Sequence, residues 1–421
     1  MLDSLWAALG GDPTDLGRLD VTGPNTTLAS TFSVIDVGVA AVGASLLAAT
    51  VGSGARVGID TRQLAVALRS ERYARRDGQS GGNLFDPLSA FHRTSDGWIR
   101  LHANYQWHRD AALSVLGCSV EDAPGAIAER QAVELETALH AAGGIGAAVR
   151  TQEQWRATAG PPPPLVERRV LGAAPPRPAR RLRVLDLTRV IAGPVATRTL
   201  AVHGADVLRL DAPQLPELPL LTWDMLAGKR SALLDLHDTG VREGLLAEAD
   251  VVVAGYRPGA LDKFGLAPEA LALRHPGLVV VTLSAWGHQG SWSARRGFDS
   301  IVQAACGIAV DEGTPDAPGA LPGQVLDHAT GYLAAAGALL AVQRQRREGG
   351  THHVRFALAG TAAWLQSIPH TAQEAVAVDA TPFLEEKGRF TLARPPGTIE
   401  GKPLSWPDPV PDYGAVDPLW T

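Results

Sequence analysis

A chain of 421 residues with 45% hydrophobic content has the size and composition of a globular protein of two or three domains with a sizeable core. Its net charge of −6, with no Lys/Arg-dense run, argues against a nucleic-acid partner. Two cysteines, Cys118 and Cys306, provide no disulfide framework and fit a reducing compartment, so a cytoplasmic location is expected.

The opening Met1-Leu2-Asp3-Ser4 lacks a basic stretch, so no signal peptide is expected. Residues 1–30 read as polar and loop-like after a short amphipathic start. Thr31 to Val51 reads as a helix of small residues; its most apolar run, from Val37, is shorter than the ~20 residues a bilayer span needs, so no membrane association is expected. Arg56 to Asp60 reads as a short strand and Thr61 to Tyr73 as a helix with Leu64, Ala67 and Leu68 on one face. A glycine-rich loop, Asp77 to Asn83, precedes a hairpin made of Phe91 to Thr94, the turn Ser95-Asp96-Gly97, and Trp98 to His102. Residues 106–150 read as the helices of a small domain, and Gln152 to Ala159 as a further helix. Pro161 to Pro164 and the Pro/Ala/Arg-rich Ala173 to Arg180 mark a linker.

The second half opens on a βαβ pattern: the strand from Arg183, a Gly193-Pro194 turn, a helix to His203, and a strand ending at Asp211. Strands at Ala232–Leu236, Asp250–Ala254 and Leu278–Ser284 alternate with helical segments, and unbroken apolar strands in that alternation mean a parallel sheet covered on both faces. The helix–strand–helix series Gly331–Val342, His353–Phe356 and Ala357–Gln366 matches Val37–Ala49, Val57–Asp60 and Thr61–Leu68 in order and spacing, and is read as an internal repeat. Beyond residue 370 the sequence is Pro-rich and poorly periodic.

His-Glu-x-x-His, Cys-x-x-Cys and EF-hand patterns are missing, so no metal is expected. There is no Gly-x-Ser-x-Gly elbow and no Walker A or Gly-x-Gly-x-x-Gly after a strand, which disfavours a serine hydrolase, a P-loop enzyme and a dinucleotide fold. Carboxylates stand out instead. Parallel α/β folds gather ligands at the carboxyl ends of their strands, and the chain after Ser284 there carries Asp299, Asp311, Glu312, Asp316 and Asp327. A desolvated carboxylate can act as a nucleophile or a base. Asp299 and Asp327 are the least ordinary, because each adjoins an apolar segment entering a helix, although Asp327 can equally serve as a helix N-cap.

Ten pieces in order resemble the family III CoA-transferases, which include formyl-CoA and carnitine CoA-transferases and, with different chemistry, α-methylacyl-CoA racemase. They are Val184 to Val190 with Ala192-Gly193-Pro194; Gly204 to Val207; Gly228 to Ser231; Ala249 to Val251; Tyr256 to Gly259; Gly265-Leu266; Pro276 to Val279; Gly287 to Gly290; Arg296 to Asp299; and Asp327 with Thr330-Gly331. The first 165 residues resemble the downstream half of the same family, so the chain reads as a downstream half placed ahead of an upstream half. The expected organisation is a downstream-like segment 1–165 with a small domain at about 85–160, a Pro-rich linker 166–181, a large Rossmann-like domain 182–370, and an irregular C-terminal extension 371–421.

The resemblance implies an α/β fold: a large domain built on a Rossmann-like parallel sheet plus a smaller α+β domain, in an interlocked homodimer. It implies an acyl-CoA and a carboxylic acid acceptor as substrates, coenzyme A as the group carried, and an aspartate that attacks the thioester to give a mixed anhydride and then an enzyme-bound CoA thioester. Alignment places Asp316 at the transferase nucleophile, with Glu312 as a substitute if the loop slips; Asp299 and Asp327 complete the candidate set. Gly81 and Gly82 fall at the family's glycine-rich loop and are candidate oxyanion donors. Arg257, Lys263, Lys229 and Arg230 match or neighbour the CoA-contacting turns, where phosphates need cations, and Ile191 with Ala192 lies on the CoA side near the reacting centre. The racemases pair an aspartate near 327 with a histidine where this chain has Phe298, so a two-base reaction lacks a partner and the transferase ranks above it. The alternatives are an acyl-CoA racemase or isomerase and a non-catalytic CoA-binding relative.

Overall fold

Strands with apolar side chains on both faces need cover on both, and five of them supply the centre of this molecule. In a computed structural model describing residues 1–369 and 375–421, a seven-stranded sheet runs in the order Arg230–Leu233, Asp206–Asp211, Arg183–Leu187, Val251–Ala254, Val279–Ser284, Thr351–Ala357, Glu167–Gly172. The first six are parallel and the last is antiparallel. That antiparallel edge strand comes from the expected linker: residues 167–172 are sheet. The remainder of the linker is also tied down, with Arg177 donating to the Ala249 carbonyl at 2.7 Å and Arg180 pairing with Asp250 at 3.1 Å.

One face of the sheet is covered by Ala192–Val202 and by the 24-residue helix Val325–Glu348. The latter is long and apolar enough to cross a membrane by length and composition, but its apolar stretch is wholly buried in this core. Helix and helix approach closely because Gly331 lacks a Cβ, which would fall 2.6 Å from the Ala192 carbonyl.

The small domain is a three-stranded antiparallel sheet of Phe91–Arg93, Trp98–Leu101 and Gly146–Ala148, backed by Gln106–Leu116, Ala123–Ala128 and Ala132–Ala141 over its own core. Both copies of the repeat adopt helix–strand–helix: Val34–Ala49, Val57–Asp60 and Thr61–Ala67 in the first, Val325–Glu348, Thr351–Ala357 and Leu358–Ser367 in the second. Their long helices pack on each other. A helix apolar all round, as Val34–Ala49 is, must be enclosed, and the second copy encloses it.

Two segments expected to be irregular are ordered by distant partners. Leu19–Thr22 pairs in parallel with Val57–Asp60. The strand Phe390–Ala393 of the C-terminal segment pairs with Arg75–Arg76, and Thr398–Ile399 pairs with Val57–Gly58, so the end of the chain fastens onto its beginning. The boundary expected at 370/371 lies outside the described residues.

Candidate active site

The carboxyl end of the Arg183–Leu187 strand is fixed by a buried carboxylate. Asp186 accepts from the Thr188 N–H at 2.9 Å, from the Thr197 hydroxyl at 2.6 Å and from Lys229 Nζ at 2.9 Å. The turn that follows is tight enough that a Cβ on Gly193 would lie 2.3 Å from Thr188. Val190 then adopts φ 68°, a region costly for a β-branched residue. Its N–H donates to Glu217 at 3.1 Å, which holds the strained conformation.

Glu217 is also where the two halves of the chain meet. Tyr105, on the loop after the Trp98–Leu101 strand, donates its hydroxyl to Glu217, and Arg209 pairs with the same carboxylate at 2.9 Å. Burial raises the Tyr105 pKa well above its ordinary value, and the Glu217 charge adds to this. Arg189 lies 4.9 Å above the Tyr105 ring, completing a cation–π stack.

At the start of the Val325–Glu348 helix, Asp327 is 5% exposed. Its main-chain N–H donates at 3.0 Å to Asp299, the first residue of the Asp299–Ala305 helix, and Gln303 donates to the other Asp299 oxygen. Burial pushes the Asp299 carboxyl up to about 7 against these hydrogen bonds. Asp327 is raised well above the usual carboxylate range, by burial first and then by the charges of Asp299 and Glu71. Glu71 itself stays low: His328, at 3.3 Å, outweighs the effect of burial. No hydrogen bond reaches the Asp327 carboxylate among the described residues.

Asp327 faces two cavities. The larger, about 350 Å³, is walled by Tyr105, Trp107 and His108 from the first half and by Arg189, Arg257 and Arg296 from the second. The smaller, about 20 Å³, is lined mainly by apolar groups, among them Leu84, Phe85, Ile191, Leu218 and Phe298, with His102 and Asn104 at its wall. His102 stacks on Phe298 with ring centres 3.8 Å apart, and burial holds its pKa down at about 3. Arg189 and Arg295 are committed to Glu217 and Glu136. Arg257 and Arg296 form no ion pair among the described residues: Arg257 donates to the Ala294 carbonyl, and Arg296 is lowered by burial and by the Arg257 charge. Two neighbouring cations without a counter-ion suit a polyanion.

The expected residues divide accordingly. Asp327, Ile191, Ala192 and Arg257 line the cavities, and Asp299 stands directly behind Asp327. Gly81 and Gly82 precede the cavity residues Leu84 and Phe85 but do not line either cavity; Gly81 is wedged against Leu220 and Trp223. Asp316 is on a surface turn with its side chain 95% exposed, 3.9 Å from Arg93. Glu312 accepts the Thr31 N–H at 3.1 Å and so anchors the N-terminal segment. Lys229 is buried on Asp186, and Arg230 opens its strand level with Leu208 and is paired with Asp206 at 3.0 Å. Both cations are spent on strand carboxylates, so neither is free for a phosphate. Lys263 lies over the Phe264 ring on a short turn outside the cavity lining.

Tyr105, Trp107, His108, His102 and Arg296 were not among the expected site residues. Their signal was the aromatic cluster directly after a hairpin and the Arg295-Arg296 doublet ahead of Asp299. Among the described residues no cluster of His, Cys, Asp and Glu is placed to hold a metal ion.

Known proteins resemble this chain over about half of its length. A probable fatty acyl-CoA transferase, Rv3272, of Mycobacterium tuberculosis is 34% identical over 210 residues, which cover 46% of this chain and 53% of that one. A succinyl-CoA–D-citramalate CoA-transferase of Chloroflexus aurantiacus is 33% identical over 192 residues, 42% of this chain and 48% of the relative. A crystal structure of Rv3272 matches with TM-score 0.42 and 34% identity over 46% of this chain and 57% of that one. The chain thus spans about half the length of the curated relatives it matches. The family model described as CoA-transferase family III matches residues 180–391, half of the chain, and the protein belongs to that family.

Proposed function

We propose that the chain is an acyl-CoA:carboxylate CoA-transferase with Asp327 as its nucleophile. The observation that supports it is a buried carboxylate, without hydrogen-bond donors, on the wall between a cation-lined cavity and a small apolar one. A carboxylate stripped of solvent and hydrogen bonds is a stronger nucleophile than one in water.

Coenzyme A would lie in the larger cavity with its phosphates toward Arg257 and Arg296. Asp327 attacks the thioester carbonyl, the C–S bond breaks, and CoA thiolate leaves as the mixed anhydride forms. The thiolate then attacks the aspartyl carbonyl of that anhydride, releasing the donor acid and leaving an Asp327–CoA thioester. The acceptor carboxylate attacks this thioester, and the returning thiolate takes the acceptor's acyl group, which regenerates Asp327. Gly81 and Gly82 remain proposed oxyanion donors on the family resemblance alone; the Gly82 N–H donates to the Ser80 hydroxyl, so their loop would have to move to reach the thioester.

Treating the protein with an acyl-CoA and hydroxylamine should convert Asp327 to the hydroxamate, read by peptide mass spectrometry. Modification of Asp316 or Glu312 instead, or of no carboxylate, overturns the assignment.

A racemase reading draws on His102, an imidazole in the small cavity beside Phe298. With its pKa at about 3 it is a weak base, which favours acyl transfer. Solvent deuterium entering the α-position of an acyl-CoA would favour racemisation. A homodimer and a cytoplasmic location are proposed with the transferase reading. Because one chain supplies both walls of the cavity, a dimer would repeat the site rather than complete it.

A further inference from the structure

A second cleft, of about 480 Å³, lies between the N-terminal helix Leu2–Leu9, the edge strand Glu167–Gly172 and the Thr351–Ala357 strand, and shares no lining residue with the cavities at Asp327. Its floor is apolar, from Leu9, Val166, Val170 and Val354. Its rim is basic. Arg168 Nη1 and Arg344 Nη2 fall 1.8 and 2.5 Å from the point a Cβ on Gly10 would occupy, so the two guanidinium groups converge over this glycine. Arg168 donates to the Leu9 carbonyl at 3.2 Å, and neither arginine forms an ion pair among the described residues.

The nearby acids are engaged elsewhere. Glu167 pairs with Arg355 at 3.4 Å, Glu269 with Arg169 at 3.3 Å, and Glu348 with Arg347 at 2.6 Å. The two guanidinium groups repel each other, and an anion between them would relieve that repulsion.

We infer that this cleft binds a small organic anion with an apolar body, its charged head held by Arg168 and Arg344 and its chain along the Leu9–Val170–Val354 floor. The volume falls in the range of small-molecule sites. The uncompensated pair favours a negative head, and the apolar lining favours an organic body over a bare inorganic ion. The inference stands apart from the transferase reading.

Octanoate, octyl phosphate and octan-1-ol should be titrated calorimetrically into the full chain. Saturable binding of at least one anion is expected, tenfold or more tighter than the alcohol. It should weaken at least tenfold in Arg168→Ala or Arg344→Ala, and survive in Asp327→Asn. Methyl resonances of Val170 and Val354 should shift on titration of the wild-type chain, a readout that needs no variant to fold. The preferred anion identifies the head group as carboxylate or phosphate. Equal affinity for octanol, unaltered binding in both arginine variants, or motionless Val170 and Val354 signals overturn the site.

Discussion

Asp299 accepts the main-chain N–H of Asp327 at 3.0 Å, so the carboxylate set behind the proposed nucleophile is attached to that residue's own backbone. The two acids titrate as neighbours. Asp299 raises Asp327 through its charge, second only to burial.

The pH profile should report this pair. Transfer needs ionised Asp327, so kcat/KM is expected to rise with pH through a titration above the ordinary carboxylate range and then level off. Asp299→Asn removes one repelling charge and leaves burial in place, so the acid limb should move to lower pH while remaining above 3.8. A profile that stays put or moves upward refutes the coupling. Stability carries its own signature. The folded Asp299 binds its proton up to about 7 and an unfolded one only to about 3.8, so folding stability is expected to fall as pH rises between those values. The Asn variant should lack that component in urea melts.

Asp327→Ala is expected to lower kcat by about 10³-fold or more, the scale of losing a nucleophile, with CoA affinity kept because Arg257 and Arg296 are untouched. Asp316→Asn should behave as the wild type, since its side chain faces solvent. Steady-state rates with any accepted acyl-CoA would separate the two; a dead Asp316 variant beside an active Asp327 variant would reverse the assignment.

Removing Arg257 or Arg296 should weaken CoA binding by about 10- to 100-fold each, from the loss of about 1.5–3 kcal/mol of charge-assisted hydrogen bonding, with a shallower salt dependence. Lys229→Met should leave CoA affinity alone and cost about 3–5 kcal/mol of stability by stranding Asp186 in the core. Calorimetry with CoA and urea denaturation decide between these roles. A Lys229 variant that folds normally and loses CoA would return this residue to the binding site.

Tyr105→Phe deletes the bond between the small-domain loop and Glu217. A loss of about 1–3 kcal/mol is expected, the cost of leaving a buried carboxylate short of a donor. Hydrogen exchange should show faster opening of the 102–105 loop and the first turn of the Gln106–Leu116 helix. Unchanged protection there would mean the contact does not hold the halves together.

The alternation of apolar strands and helices from residue 183 specified the parallel sheet, because a two-sided hydrophobic strand has few other solutions. The repeat was legible for the same reason: helix, strand and helix each impose a local period. The Glu167–Gly172 strand, the Leu19–Thr22 strand and the C-terminal pairings were not, because short polar strands take their identity from a partner far away in sequence.

Within the site, the sequence by itself determined the candidates: acids following a buried strand, and an arginine turn. Only the tertiary structure decided among them. Asp316 and Asp327 are the same kind of residue eleven positions apart, and what separates them is water: one side chain is 95% exposed, while the other residue is 5% exposed at a junction of two cavities. Lys229 and Arg257 are both cations on matching turns, and they differ by a carboxylate, Asp186, that reaches one and not the other. Burial and charge compensation arise from contacts between distant segments, so no local pattern encodes them.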